Sequence, residues 1–152
     1  MNGSYSNAQD VSDAIERHGS IIVSPVSDSM YPLIREQRDA VVLGKARFPL
    51  QRFDVALYER DNGMLVLHRV MKAVGHSYDF SGDHYEQHET GIEDSQICAL
   101  MTGFFHKEKY VSLDSAWYKL YCHVWCGTFF LRKVTVRIWR AIKGITGITK
   151  AP

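Results

Sequence analysis

Between Ser20 and Phe104 the chain alternates short apolar runs with turn chemistry, and long helical patterns are missing between them. The runs are Ser20–Val23, Ala40–Leu43, Asp54–Tyr58, Leu65–Val74, Ser77–Phe80 and Ile97–Phe104. Pro25, Pro32, Pro49, Asp61-Asn62-Gly63, Gly75 and Gly82-Asp83 separate them. Runs of this length bounded by proline and glycine predict strands. Asp61-Asn62-Gly63 between two apolar runs predicts a hairpin, because these residues accept the backbone angles that a tight turn needs. The expected class is therefore mainly β, a compact antiparallel, barrel-like domain.

The two ends differ from this body. Val11, Ala14 and Ile15 have helical spacing before Gly19, so residues 1–20 are expected to form an N-terminal helical segment ahead of a β-rich domain over 21–110. From about Ser115 the pattern is helical again, making 111–152 a C-terminal amphipathic tail. At about 100° per residue, Arg132, Lys133, Arg137, Arg140 and Lys143 share one arc opposite Leu131, Val134, Ile138, Ala141, Ile142 and Ile145. Such a helix docks on the body, or lies against a partner protein or an anionic membrane surface.

Size and charge narrow the classes. A chain of 152 residues, 45% hydrophobic, can bury a real core as one domain. A net charge of +1 argues against a nucleic-acid binder, which usually carries a large basic excess. From Ser112 onward seven lysines and arginines face Asp114 alone, so the tail is basic and the body acidic. Three cysteines, Cys98, Cys122 and Cys126, cannot all pair, which suits a reducing compartment. The start, MNGSYSNAQD, lacks the basic and apolar regions of a signal peptide. The run Leu120 to Leu131 is too short to span a bilayer. A cytoplasmic location, peripheral to the membrane if the tail meets lipid, is the expectation. His84 and His88 have metal-like spacing near His76 and Glu89, but no set of four ligands emerges, and no metal or cofactor is expected. The stretch HYEQHETGIEDS, His84 to Ser95, reads as an irregular acidic loop, exposed or mobile over a cleft.

The chemistry concentrates in Ser27-Asp28-Ser29-Met30-Tyr31-Pro32, a polar knot just before an apolar run. A serine hydroxyl is a weak nucleophile until a base takes its proton. His68 lies inside the strand-like run Met64-Leu65-Val66-Leu67-His68-Arg69-Val70, 39 residues beyond Ser29. Asp83 follows Gly82 on a turn, where a carboxylate could orient the imidazole. Arg69 reads as a structural ion-pair partner, and Lys72 lies too far along the strand to serve as the base.

These residues also carry a resemblance. Ser27 to Pro32 resembles the S-x-S-M-x-P nucleophile box of the signal peptidase I family and its repressor-autoprotease relatives. Arg38-Asp39-Ala40-Val41-Val42-Leu43 and Phe53-Asp54-Val55-Ala56-Leu57-Tyr58 resemble the two G-D-x-V strands, with Arg38 and Phe53 at the glycine positions. Leu67-His68-Arg69-Val70 resembles the base motif of the ER-type branch, Gly82-Asp83 the G-D-N box with His84 for asparagine, and Ile97 to Gly103 the closing strand. Order and spacing agree from about Ile21 to Phe104.

The resemblance implies a serine endopeptidase of the signal-peptidase fold. Ser29 would be the nucleophile, His68 the general base and then general acid, and Asp83 the group orienting His68. The Ser29 N–H and the Ser27 hydroxyl would hold the oxyanion, while Met30 and Pro32 would shape the turn and the substrate groove. The substrate would bind extended beside a strand. The family's transmembrane anchor has no counterpart here, so the chain is most similar to soluble, His-containing bacterial members. Expected substrates are precursor or leader peptides, or a partner protein cut once. A histidine base predicts activity rising through about pH 6–7. The competing reading is a non-catalytic peptide- or membrane-binding module on the same fold. A DNA-binding repressor autoprotease is disfavoured, because the residues before the β body are too few for a helix-turn-helix domain. The oligomeric state is not legible.

Overall fold

The computed structural model describes residues 5, 7–85 and 88–126. The chain divides into two compact units, Met1–Ser115 and Ala116–Pro152.

The first unit opens with helix α1, Ala8–His18. The Asn7 side chain accepts the Asp10 N–H at 2.9 Å, and Gly19, at φ +78°, donates its N–H to the Ile15 carbonyl at 2.7 Å. Both ends are thus capped, and the stop at Gly19 is where the sequence predicts it. Val11, Ala14 and Ile15 form the buried stripe, and α1 packs on the first and seventh strands, so it belongs to the same unit as the sheet.

Eight strands follow: β1 (Ser20–Val23), β2 (Asp39–Gly44), β3 (Val55–Glu59), β4 (Leu65–Val74), β5 (Ser77–Ser81), β6 (Glu89–Glu93), β7 (Ile97–His106) and β8 (Lys109–Ser112). The sheet is antiparallel in the order β1-β2-β7-β3-β4-β5-β6, with β8 also paired to β7. It is not closed into a barrel: β1 and β6 are its two ends. The β class is as expected, and the barrel-like closure is corrected to an open sheet.

The turns behave as their residues predict. At the β3–β4 hairpin Gly63 adopts φ +80° and its N–H reaches the Arg60 carbonyl at 2.8 Å, while Asn62 accepts the Met64 N–H at 3.0 Å. β3 lies between β4 and β7 and is buried through Val55, Ala56, Leu57 and Tyr58, so it has no polar face. One core cluster gathers Leu50, Ala56, Tyr58, Val70, Tyr78, Phe80 and Ile92. Each large side chain there contributes about 1.5–3 kcal/mol by leaving water.

Two strands depart from the expected runs. β6 lies inside the stretch read as an irregular loop, and β8 lies at the junction with the tail. β6 sits at the sheet's end with only Ile92 buried, so its remaining residues stay polar and no alternation of apolar residues betrays it. Its register on β5, with Tyr78 opposite Ile92 and Phe80 opposite Glu89, replaces the loop reading for these residues.

Phe53, at one of the two glycine positions of the family pattern, adopts φ +79°. That left-handed conformation costs a residue with a Cβ about 1–2 kcal/mol. The segment is nevertheless tied down: the Phe53 N–H bonds to the Val70 carbonyl at 2.8 Å and its own carbonyl accepts Arg69 Nη1 at 3.0 Å. Near the other position the left-handed residue is Gln37, at φ +59°, one place before Arg38.

The second unit begins with helix α2, Ala116–Tyr121, and continues as a π-helical turn over Cys122–Cys126. Trp117, Tyr121 and Trp125 stack in succession at centroid separations of 5.9 and 6.4 Å, and Cys122 and Cys126 are buried. The basic amphipathic pattern from Leu131 to Ile145 lies outside the described residues. Among the described residues no helix is long and apolar enough to cross a membrane.

Candidate active site

Ser29 sits in a single 3-10 turn, Asp28–Met30, entered from an extended Ser27. The Tyr31 N–H closes the turn on the Asp28 carbonyl at 3.0 Å, and the Asp28 carboxylate accepts the Glu36 N–H at 3.1 Å. Met30 is buried beneath the turn and anchors it, whereas Pro32 lies half-buried beyond it. The Ser27 hydroxyl donates to Ser29 Oγ at 3.3 Å, so the two flanking serines face one another.

His68 lies on β4 opposite Ala56 of β3 and is 6% exposed. Its Nδ1 faces the Tyr58 hydroxyl at 3.3 Å and Glu89 Oε1 at 3.5 Å. Burial pushes the imidazole pKa below 6.5; Glu89 and Asp83 act in the opposite direction, and Arg60 with it. The neutral ring, the form that accepts a proton, is therefore favoured at neutral pH.

Gly82 brings the serine turn and the histidine together. A Cβ at this position would lie 2.6 Å from the Ser29 carbonyl oxygen and 3.2 Å from His68 Nε2. Only a glycine fits between them. The turn after it is bound to the serine, since the His84 N–H donates to the Ser29 carbonyl at 3.0 Å. Residues far apart in sequence are thus held against a common point.

Asp83 is placed differently from the expected orienting role. Its two carboxylate oxygens accept Arg69 Nε and Nη2, both at 2.7 Å, in a fully buried bidentate pair. Arg69 is the structural ion-pair partner that the sequence suggests. The pair fastens the Gly82–Asp83 turn to β4, and its charge reaches His68 only as a secondary influence. The groups at Nδ1 are Tyr58 and Glu89, neither of which the sequence singled out for that place. Arg60 holds Glu89 bidentately, through Nε at 2.8 Å and through Nη2. The Arg60 guanidinium lowers the Glu89 pKa, while burial and the neighbouring Glu89 raise that of Tyr58.

Ser27, Ser29, Met30 and His68 all line one cavity of about 500 Å³. Its other walls are largely apolar, from Val23 to Val26 on one side and Met64 to Leu67 on another. β4 pairs with β3 along Leu65–Arg69 but with β5 only from Arg69 onward, so the edge of Leu65–His68 away from β3 has no strand partner among the described residues. Among the described residues β1 is likewise paired with a strand on one edge only.

The remaining histidines have separate surroundings. His76 pairs with Asp94, and His84 meets the Tyr31 ring edge-on at 5.6 Å. Among the described residues no three His, Cys, Asp or Glu side chains gather as a metal ion would require. Lys72 is exposed opposite Asp79 and is not a wall of the cavity. Comparisons with protein-family models, with curated proteins and with solved structures found no match to this chain.

Proposed function

We propose that the protein is a serine endopeptidase of the signal peptidase-like superfamily, acting on an extended peptide or precursor segment through Ser29 and His68. The observation that carries this reading is Gly82, where a Cβ would meet both the Ser29 carbonyl oxygen and His68 Nε2, while Ser29 and His68 both line the 500 Å³ cavity. A serine turn held beside the Nε2 of a neutral histidine, both at one cavity that can take a peptide, is the arrangement acyl transfer needs.

In this reading Ser29 Oγ attacks the scissile carbonyl carbon while His68 Nε2 takes the hydroxyl proton. The tetrahedral oxyanion is held by the Ser29 N–H and the Ser27 hydroxyl. Loss of one such donor costs about 3 kcal/mol of barrier. The C–N bond then breaks, His68 returns the proton to the leaving amine, and an ester remains on Ser29. Water attacks that ester, again giving its proton to Nε2, and the acid product leaves with Ser29 regenerated. The unpartnered edges of Leu65–His68 and β1 offer backbone hydrogen bonds to an extended substrate, and the apolar walls suit its side chains.

Cleavage profiling on a diverse peptide mixture tests the reading. Cut sites made by the wild type, and absent with Ser29→Ala and His68→Ala, are expected. Identical profiles for all three proteins would reject the peptidase and leave the cavity as a peptide-binding groove. A repeat with anionic liposomes separates that outcome from an enzyme that needs a membrane surface.

A further inference from the structure

We propose that Glu89, acting together with Tyr58 and held by Arg60, is the carboxylate that positions His68 for catalysis, while Asp83 serves the fold. Its catalytic consequence rests on the peptidase reading; its structural content does not.

Arg60 grips Glu89 bidentately and keeps it ionised, so both of its oxygens are acceptors. Tyr58 stays protonated, because burial raises its pKa, and its hydroxyl lies 3.3 Å from Nδ1 of His68, where it can either donate or accept. The Glu89 carboxylate, 3.5 Å from the same nitrogen, can only accept, and it therefore favours the proton on Nδ1. Nε2 is left bare, and it is Nε2 that points toward Gly82 and the Ser29 turn. The tautomer needed for a general base is the one the Glu89 carboxylate favours. Separations above 3.2 Å are long for hydrogen bonds, as is common in free enzymes whose catalytic contacts tighten once substrate binds.

Asp83 cannot replace Glu89 without abandoning Arg69, whose guanidinium is fully buried. The charged and titratable groups around His68 are Tyr58 and Arg60 from β3 and its end, Glu89 from β6, and Asp83 and Tyr85 from the turn after β5, the Tyr85 ring standing edge-on to the imidazole at 6.4 Å. Of these, Glu89 is the acid that approaches the ring directly.

The experiment uses Glu89→Gln, with Glu89→Asp as the conservative partner, and reads His68 by 15N-edited NMR across pH 4–9. In wild type the neutral ring is expected as the Nδ1–H tautomer. In Glu89→Gln the tautomer preference should weaken and the titration should move to lower pH, because a negative charge beside the imidazolium is gone; Glu89→Asp should restore part of both. An unchanged tautomer and titration in a folded Glu89→Gln protein would overturn the proposal. On a peptide cleaved by wild type, Glu89→Gln should lose about 100-fold in kcat with little change in KM, and its acid limb should move to lower pH. Unchanged kcat would equally overturn the positioning role. If wild type neither cleaves peptides nor reacts at Ser29 with a fluorophosphonate, the peptidase reading fails by itself, and the NMR result still decides whether Glu89 sets the state of His68.

Discussion

Two arginine–carboxylate pairs flank His68, and they differ in exposure. Arg69 and Asp83 have side-chain exposures of 0% and 1%, whereas Arg60 and Glu89 have 35% and 29%. The sealed pair sits between a core strand and the turn that presents Gly82; in the open pair Arg60 lines the cavity and Glu89 lies beside the imidazole. Chemically similar contacts therefore carry different consequences. A buried charge that loses its partner has no water to turn to, so the sealed pair is a condition for folding. A pair one-third exposed is screened and replaceable, which leaves its carboxylate available to the ring.

The largest expected effect breaks this contrast directly. Asp83→Asn removes the charge opposite the buried Arg69 guanidinium and should cost about 3–5 kcal/mol in urea unfolding. Glu89→Gln should cost less than about 1 kcal/mol. Equal losses in the two variants would remove the distinction between a sealed structural pair and an open one.

A smaller effect concerns the point that both pairs frame. In Gly82→Ala the new methyl would lie 2.6 Å from the Ser29 carbonyl oxygen, so the serine turn must move relative to Nε2. A displacement of this size can cost about 100-fold in rate, and kcat is the quantity that should fall. Full activity in a folded Gly82→Ala protein would show that the Ser29 and His68 geometry does not depend on their close approach at this glycine.

The smallest effect is a shift along the pH axis. Burial lowers the folded-state pKa of His68 below 6.5, so the unfolded chain takes up this proton first as pH falls. The stability contribution of His68 is therefore present above about pH 6.5 and is lost as pH drops through the folded-state value. Activity should follow the same group: the acid limb of kcat/KM should lie below pH 6.5 and not on the higher side of the pH 6–7 range. A limb above pH 8.5 would point to a lysine base and remove His68 from the role.

Much of the fold was legible because it was written in local patterns. α1 announced itself by Gly19 and one apolar stripe, and Leu65–Val74 by an unbroken β-type run between Gly63 and Gly75. β6 was not, because an edge strand with one buried residue has little need of an apolar signature. That omission hid Glu89: a carboxylate in an apparent acidic loop carries no mark of pointing at a histidine 21 positions earlier. Tyr58 was hidden in another way, since a tyrosine in a core strand looks the same whether its hydroxyl serves packing or a site.

By itself the sequence determined the chemical types available: a serine in a tight turn, a histidine in a strand, a glycine–aspartate turn and an arginine next to the histidine. Their residue identities and local spacing suffice for that, because turns and strands are short-range choices. Which carboxylate meets the imidazole was decided only by the tertiary structure. Strand order places β6 beside β5 and lets Arg69 claim Asp83 from within the core. Burial then forces the pairing: a guanidinium sealed from water must take the nearest carboxylate, and the histidine is left with the one at the rim.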